Sequence, residues 1–258
     1  MIVDYHMHLR DSDERIAHEA AAIEPFVETA VARGVGEIGF TEHVYYFRQT
    51  REIWSLPYQT ERCVYDLDAY CDAVLEAKRR GLPVKLGLEV DFVGGLQPRL
   101  AEVLEPYPWD YLLGSVHWVD GLAIDSLPGM WAERSVEDVW RAYFEALAVL
   151  ASSGYVDVLA HPDLAKIFGR RPADPATFYP ELDGVALEIS TAGLRKPVGE
   201  LYPDPALLAG RPITLGSDAH APELVGEGFE HALELARSAG YETVTVFEGR
   251  AGRQESLG

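Results

Sequence analysis

Seven times along this chain a short run of apolar and β-branched residues ends in, or just before, a histidine or carboxylate, and amphipathic stretches separate several of these runs. The runs are Met1 to Met7, Val35 to Phe40, Val84 to Leu88, Tyr111 to Val116, Val156 to Ala160, Val185 to Ile189 and Ile213 to Leu215. Their length and residue types predict strands, as they do for an eighth run, Thr243 to Phe247. Helices are predicted at Ala20 to Arg33, Leu67 to Arg80, Val136 to Ser153 and Phe229 to Ala239, each followed by the glycine that commonly stops a helix.

Strand–helix–strand repetition favours parallel pairing through right-handed crossovers, and this number of units suits a closed barrel. The links on either side of the run at 185 are rich in proline, with Pro172, Pro175, Pro180, Pro203 and Pro205. The expected architecture is therefore a distorted α/β barrel, one domain over residues 1–258, with some outer helices shortened or replaced by loops. Lengths near 258 residues are compatible with such a barrel as a single unit.

The ionisable residues fall at the C-terminal strand ends. His6 and His8 close the first strand, and His43 follows the second in GFTEH. Glu89 and Asp91 follow the third in LGLEVD; His117 closes the fourth in LLGSVH; His161 closes the fifth in VLAHPD. Glu188 lies late in the sixth, and Asp218 and His220 follow the seventh in LGSDAH. In a parallel barrel these ends converge on one face, where active sites of the fold are built. Because a strand alternates its side chains, His6 and His8 project to the same side, and Asp218 and His220 repeat that spacing.

A single histidine is most often a hydrogen-bonded core or rim residue. Six of the eight histidines at equivalent positions are a different matter, since clustered imidazoles gain little by themselves and repel once protonated. Imidazole mixed with carboxylate suits Zn, Mn or Fe ions better than Ca or Mg. The number of candidate ligands implies two or three ions, with Glu89, in the middle of the set, as the bridging carboxylate. Such a centre generates hydroxide near neutral pH and polarises a phosphoryl or carbonyl oxygen, which is the equipment of a hydrolase.

The 22 Lys and Arg against 42 Asp and Glu leave a net charge of −20, which repels polyanions in the absence of a basic groove. Nucleic acid is thus not expected as a partner, whereas a small phosphorylated metabolite is, and a homo-oligomer is left open. No run approaches the length of a membrane span, and the opening MIVDYHMHLR lacks the basic and apolar regions of a secretory signal. Cys63 and Cys71 are too few and too close for a disulfide framework. A cytoplasmic protein is the resulting expectation.

Taken together in this order and spacing, the segments DYHMH, FTEH, GLEVD, GSVHW, LAHPD and GSDAH resemble the polymerase and histidinol phosphatase (PHP) superfamily. GLEVDF, WDYLLGSVHW, AHPDLAKIFGRR, STAGLRKPVGELYP and GSDAH resemble its histidinol-phosphate phosphatase branch in particular. The resemblance implies a distorted seven-stranded (β/α) barrel with a trinuclear metal centre. It implies one ion held by His6, His8, Glu89 and Asp218, a second by Glu89, His117 and His161, and a third by His43, His220 and a residue from the loop after the first strand. In that loop the sequence departs from the family: counting back from His43 selects His18, whereas counting forward from His8 lands near Glu14. His18 is taken as the ligand, with Glu14 and Asp11 as alternatives.

The activity so implied is hydrolysis of a phosphate monoester, L-histidinol phosphate in histidine biosynthesis, by attack of metal-bound hydroxide, with Glu89, Asp218 and His220 at the reacting centre. Arg195 in TAGLRK and Arg171 in IFGRRP, with Arg170 a close competitor for the latter, are the expected phosphate clamps, ranked above Lys166 and Lys196 because the guanidinium fork matches phosphate geometry. An arginine paired to a surface carboxylate is the plainer alternative for each. Ser115 is a further substrate-binding candidate. Trp118 serves either rim packing or stacking on a substrate ring, and Val44 to Trp54 forms either a pocket wall or an ordinary packed loop. Two competing readings are a phosphoesterase acting on a nucleotide, phosphotyrosine or oligonucleotide, and a non-catalytic metal-binding domain.

Overall fold

A computed structural model describes residues 1–9, 17–208 and 210–258. Its elements, in chain order, are β1 (Val3–Asp4), α1 (Ala20–Ala32), β2 (Glu37–Phe40), α2 (Pro57–Arg62), α3 (Leu67–Arg79), β3 (Val84–Leu86), β4 (Glu89–Asp91), α4 (Gln97–Leu104) and β5 (Leu113–Ser115). There follow β6 (Trp118–Val119), β7 (Leu122–Ala123), α5 (Val136–Ser152), β8 (Val158–Leu159), β9 (Ala186–Ser190), α6 (Pro205–Leu208), β10 (Ile213–Gly216), α7 (Phe229–Ser238), β11 (Thr243–Glu248) and β12 (Ala251–Ser256).

The parallel order β1-β2-β3 continues, after the break at Gly87 and Leu88, into β4-β5-β8-β9-β10. Across that break Gly87 N donates to Phe40 O (3.0 Å) and Glu89 N to Glu42 O (3.0 Å), so β3 and β4 act as one strand beside β2. The ring closes where Tyr5 N donates to Leu215 O (2.9 Å) and His8 N to Ala219 O (2.7 Å), with Met7 pairing parallel to Ala219. The result is a distorted α/β barrel of seven strand paths, in agreement with the expected class. Short ladders, two residues in β1 and in β8, are its distortion.

The four anticipated helices form within a residue of their expected ends, and Gly34, Gly81, Gly154 and Gly240 follow them with φ of +72°, +84°, +71° and +86°. α5 shows how the sequence builds the wall. Ser135 caps it by accepting from Asp138 N at 3.1 Å, and Glu137 and Asp138 sit favourably in its first turn. Val139, Trp140, Tyr143, Phe144, Leu147 and Leu150 then form one buried stripe. The wall is thin where proline is dense. Between β8 and β9 only short turns at Leu164–Lys166 and Pro175–Phe178 occur, and between β9 and β10 the only α-helix among the described residues is the four-residue α6. Neither α2 nor α4 is among the helices that the sequence predicts.

The barrel interior is filled by Tyr111, whose hydroxyl donates to Tyr5 O at 2.7 Å. A Cβ at Gly39 or Gly87 would overlap its ring, which is why glycine stands at both positions. The eighth predicted strand, β11, stays outside the ring and pairs antiparallel with β12. Phe247 of that hairpin packs on Tyr5 and Tyr111, and Arg250 binds Asp157, which precedes β8. The hairpin therefore covers the N-terminal end of the barrel and leaves the opposite face free. Among the described residues no helix is long and apolar enough to cross a membrane.

Candidate metal centre

At the C-terminal face the strands converge on one carboxylate. Glu89, at the start of β4 and 1% exposed, has five imidazole nitrogens within 3.7 Å. Its Oε2 lies 3.6 Å from His6 Nε2, 3.6 Å from His8 Nε2 and 2.8 Å from His43 Nδ1; its Oε1 lies 3.7 Å from His117 Nε2 and 3.4 Å from His161 Nε2. Asp218 adds a second centre, with Oδ1 at 3.6 Å from His6 Nε2, 3.4 Å from His8 Nε2 and 3.6 Å from His220 Nδ1. The His220 ring stacks on His8 with centroids 4.4 Å apart.

These distances suit ligands around shared cations. Two donors each about 2.1 Å from an ion in a tetrahedral shell stand about 3.4 Å apart. His6 Nε2, His8 Nε2 and both Glu89 oxygens are buried and make no hydrogen bond among the described residues. Buried polar atoms are seldom left so, and a set of them aimed at common points is what a metal shell requires. Ligand triplets of the right spacing are His6–His8–Asp218, His6–Glu89–His161, His8–His43–Glu89 and His43–Asp91–His117.

Carboxylates tie back the rear nitrogens of His6, whose Nδ1 is 2.9 Å from Glu188 Oε1, and of His117, whose Nδ1 is 2.7 Å from Asp91 Oδ1; His8 Nδ1 faces Glu42 Oε2 at 3.7 Å, beyond hydrogen-bond length. Such outer groups orient the ring and raise its basicity. Asp91 and Glu188 stand among the strand-end residues in the sequence, whereas Glu42 appears there only within FTEH. Two members of the cluster also carry uncommon backbone, with φ of +28° at His161 and +52° at Asp218, conformations that cost energy in non-glycine residues and concentrate at functional sites.

The electrostatics follow from this crowding. Burial pushes Glu89 upward, but the surrounding His43, His6 and His117 outweigh it and hold the carboxyl well below its usual range. For His6, burial opposes protonation, while Glu188, Asp218 and Glu89 together raise the imidazole well above its ordinary value. His43 is raised in the same way by Glu89 and Asp91 against its burial. Burial and the neighbouring His8 instead lower His220 to about 4.

Eight of the nine expected metal ligands, His6, His8, His43, Glu89, His117, His161, Asp218 and His220, come together here. His18 does not join them. Its Nε2 is 3.6 Å from Glu42 Oε1, and its ring sits edge-on to Tyr65 and Tyr70 at 4.8 and 5.3 Å. It thus lies behind His8 on the far side of Glu42, and none of the ligand triplets among the described residues includes it. The alternatives Glu14 and Asp11 lie outside the described residues.

A cavity of about 540 Å³ opens over the cluster, and its lining includes Glu89, His117, His161, Asp218 and His220. One wall is aromatic: Tyr45 stacks on His43 at 4.8 Å and meets Trp118 edge-on at 5.4 Å, and Tyr58 lies 5.5 Å from Trp118. Trp118 and the start of the loop after His43 are therefore pocket wall. The β6–β7 hairpin brings Asp125 to the rim, and the turn after β9 brings Lys196. Neither side chain has an ion pair or hydrogen bond to another described residue.

The three substrate-binding candidates are not among the residues that line the cavity. Arg171 pairs with Glu200. Arg195 donates from Nη2 to Ser217 O at 2.6 Å and from Nη1 to Glu227 at 3.2 Å, so in this carboxylate-rich chain both guanidiniums already have partners. Ser115 is wholly buried at the end of β5, two residues before His117. None of the three lines the cavity, whereas Lys196, ranked below the arginines in the sequence, does.

Residues 4–192 match the PHP domain. The chain belongs to the PHP domain family. Among its relatives, a protein of Deinococcus radiodurans named a probable histidinol-phosphatase is 33% identical over 256 residues, covering 95% of this chain and 96% of that one. A second protein so named, from Clostridium acetobutylicum, is 27% identical over 274 residues, covering 97% and 98%. The fold is shared with histidinol phosphate phosphatase from Lactococcus lactis, solved with Zn, L-histidinol and phosphate, at a TM-score of 0.68, 20% identity and 98% coverage of both chains.

Proposed function

We propose that this PHP protein is a metal-dependent phosphoric monoester hydrolase that converts L-histidinol phosphate to L-histidinol and phosphate. The observation that carries the reading is the cavity floor, where Glu89 lies among five imidazoles from four strand ends, in a chain 33% identical along its length to a probable histidinol-phosphatase. One PHP-type unit over residues 1–258 is part of the proposal, supported by a single hydrophobic core running from Val3 to Phe247.

His6, His8, Glu89 and Asp218 would hold one divalent ion and Glu89, His117 and His161 a second, with His43 and His220 placed to contribute to a third. Zn, Mn or Fe bound there would polarise phosphoryl oxygens and lower the pKa of a water molecule. In the net reaction the P–O ester bond breaks, water supplies the new oxygen on phosphorus, and a proton goes to the alcohol oxygen of L-histidinol. Lys196 offers the phosphate a cation at the rim. Asp125 offers the substrate's ammonium a carboxylate, and the Tyr45–Trp118 wall offers its imidazole a face to stack on. Arg195, bonded to Ser217 O, steadies the turn that carries Asp218. A small metabolite rather than nucleic acid fits both the cavity and the charge of −20.

The test is a panel of phosphomonoesters assayed after reconstitution with each metal. L-Histidinol phosphate should be turned over with the highest kcat/KM. Inactivity toward it beside high activity on another ester overturns the assignment.

A further inference from the structure

Glu188 is a buried acid beneath the metal face. It projects from β9, is wholly buried, and lines no part of the cavity. Its two oxygens serve two different ligands. Oε1 lies 2.9 Å from His6 Nδ1, and Oε2 accepts the backbone N–H of His161 at 2.6 Å. Room for this arrangement is made by Gly216 on β10, where any Cβ would overlap both Glu188 Oε1 and the His6 side chain. β9 and β10 pair residue by residue through this level, so the carboxylate has little freedom to move away.

We infer that Glu188 is a positioning residue that couples two metal subsites, aiming His6 at one while holding the His161 backbone for the other. The inference rests on the metal-centre reading above and adds to it a residue that is not itself a ligand. Its logic is the donor count. His6 directs Nε2 toward Glu89 and Asp218 at 3.6 Å, and for Nε2 to offer a lone pair there the ring proton must sit on Nδ1. Glu188 therefore faces two donors, an imidazole N–H and a peptide N–H. Only a carboxylate accepts both: glutamine has one accepting oxygen, and its NH2 would oppose the remaining donor.

The second contact matters because His161 holds φ at +28°. Side chains with a Cβ pay for such backbone and keep it only where surrounding contacts over-determine it. Glu188 supplies one such contact, and the Tyr143 hydroxyl, 3.3 Å from His161 O, supplies another. Loss of the carboxylate should thus be felt at both subsites, although Glu188 touches neither ion.

The experiment measures zinc stoichiometry and affinity, by chelator competition, for the wild type, Glu188→Gln and Gly216→Ala, with circular dichroism of each zinc-free protein as the folding control. Both variants should fold and bind zinc roughly 10–100-fold more weakly, the usual effect of removing an outer carboxylate. A Glu188→Gln protein with wild-type stoichiometry and affinity would overturn the proposal. A wild type that takes up no zinc would instead refute the metal-centre reading. Should the variants fail to fold, the zinc-loaded wild type decides alone. Long-range 1H–15N spectra of its histidines should show His6 protonated at Nδ1 and bound at Nε2, and the opposite tautomer rejects the role given to Glu188.

Discussion

His43 Nδ1 lies 2.8 Å from Glu89 Oε2, at an isolated parallel pairing of the two residues just beyond the end of β2. That pairing draws the His43 loop, with its aromatic wall, to the same carboxylate that the first, fourth and fifth strand ends reach from the other sides. Glu89→Gln should therefore remove bound metal and activity together, with kcat/KM falling by at least ~10²–10³-fold, the scale for a central electrostatic group. Metal analysis beside the assay checks it, and full activity in the variant would refute the bridging role.

Lys196 and Arg195 are adjacent in sequence and should differ in effect. Lys196→Ala should raise KM about tenfold while metal content stays at the wild-type level, since the side chain lines the cavity and has no ion pair among the described residues. Arg195→Ala should lower metal content as well, because its guanidinium holds Ser217 O and contacts Asp218 O at 3.3 Å. Steady-state kinetics with metal quantification separate the two.

The rim carboxylate sets a specificity test. Asp125→Asn should raise KM for L-histidinol phosphate about fivefold, the upper scale for one exposed charge pair, and leave KM for phenyl phosphate unchanged. Equal effects on both esters would remove Asp125 from recognition.

Protons and metal ions compete for the same nitrogens, so metal affinity should rise with pH. In the metal-free protein, neighbouring carboxylates raise His6, His43 and His117 above the ordinary 6.5, overcoming the opposing effect of burial. Groups raised in the folded state contribute stability that is complete below 6.5 and is lost as pH climbs through their folded values. The Tm of chelator-treated protein should accordingly fall as pH rises above neutrality, whereas zinc affinity, which requires deprotonated imidazole, should climb over the same range. Calorimetry and zinc titrations across pH 6 to 9 test both signs.

The barrel and most of its site were legible in the sequence because both depend on local rules. A β-branched run followed by histidine or carboxylate marks a strand end, parallel strands bring such ends to one face, and glycines at 34, 81, 154 and 240 stop the helices that carry the chain back. Alternation alone already put His6 and His8 on one side. The fate of β11 was not legible, because its composition is that of a barrel strand and only the Tyr5–Tyr111–Phe247 packing assigns it to a hairpin across the base.

What needed the tertiary structure was the partner of each polar group. His18 looked like a ligand by its count from His43, yet its ring packs against Glu42 and two tyrosine rings. Arg171 and Arg195 offered suitable phosphate chemistry, but Glu200, Glu227 and a backbone carbonyl engage them, whereas Lys196 lies on the cavity wall. A residue's chemistry and strand position are written in the chain itself. Which donor meets which acceptor depends on a few ångströms of packing between segments far apart in sequence, and so only the folded barrel decided it.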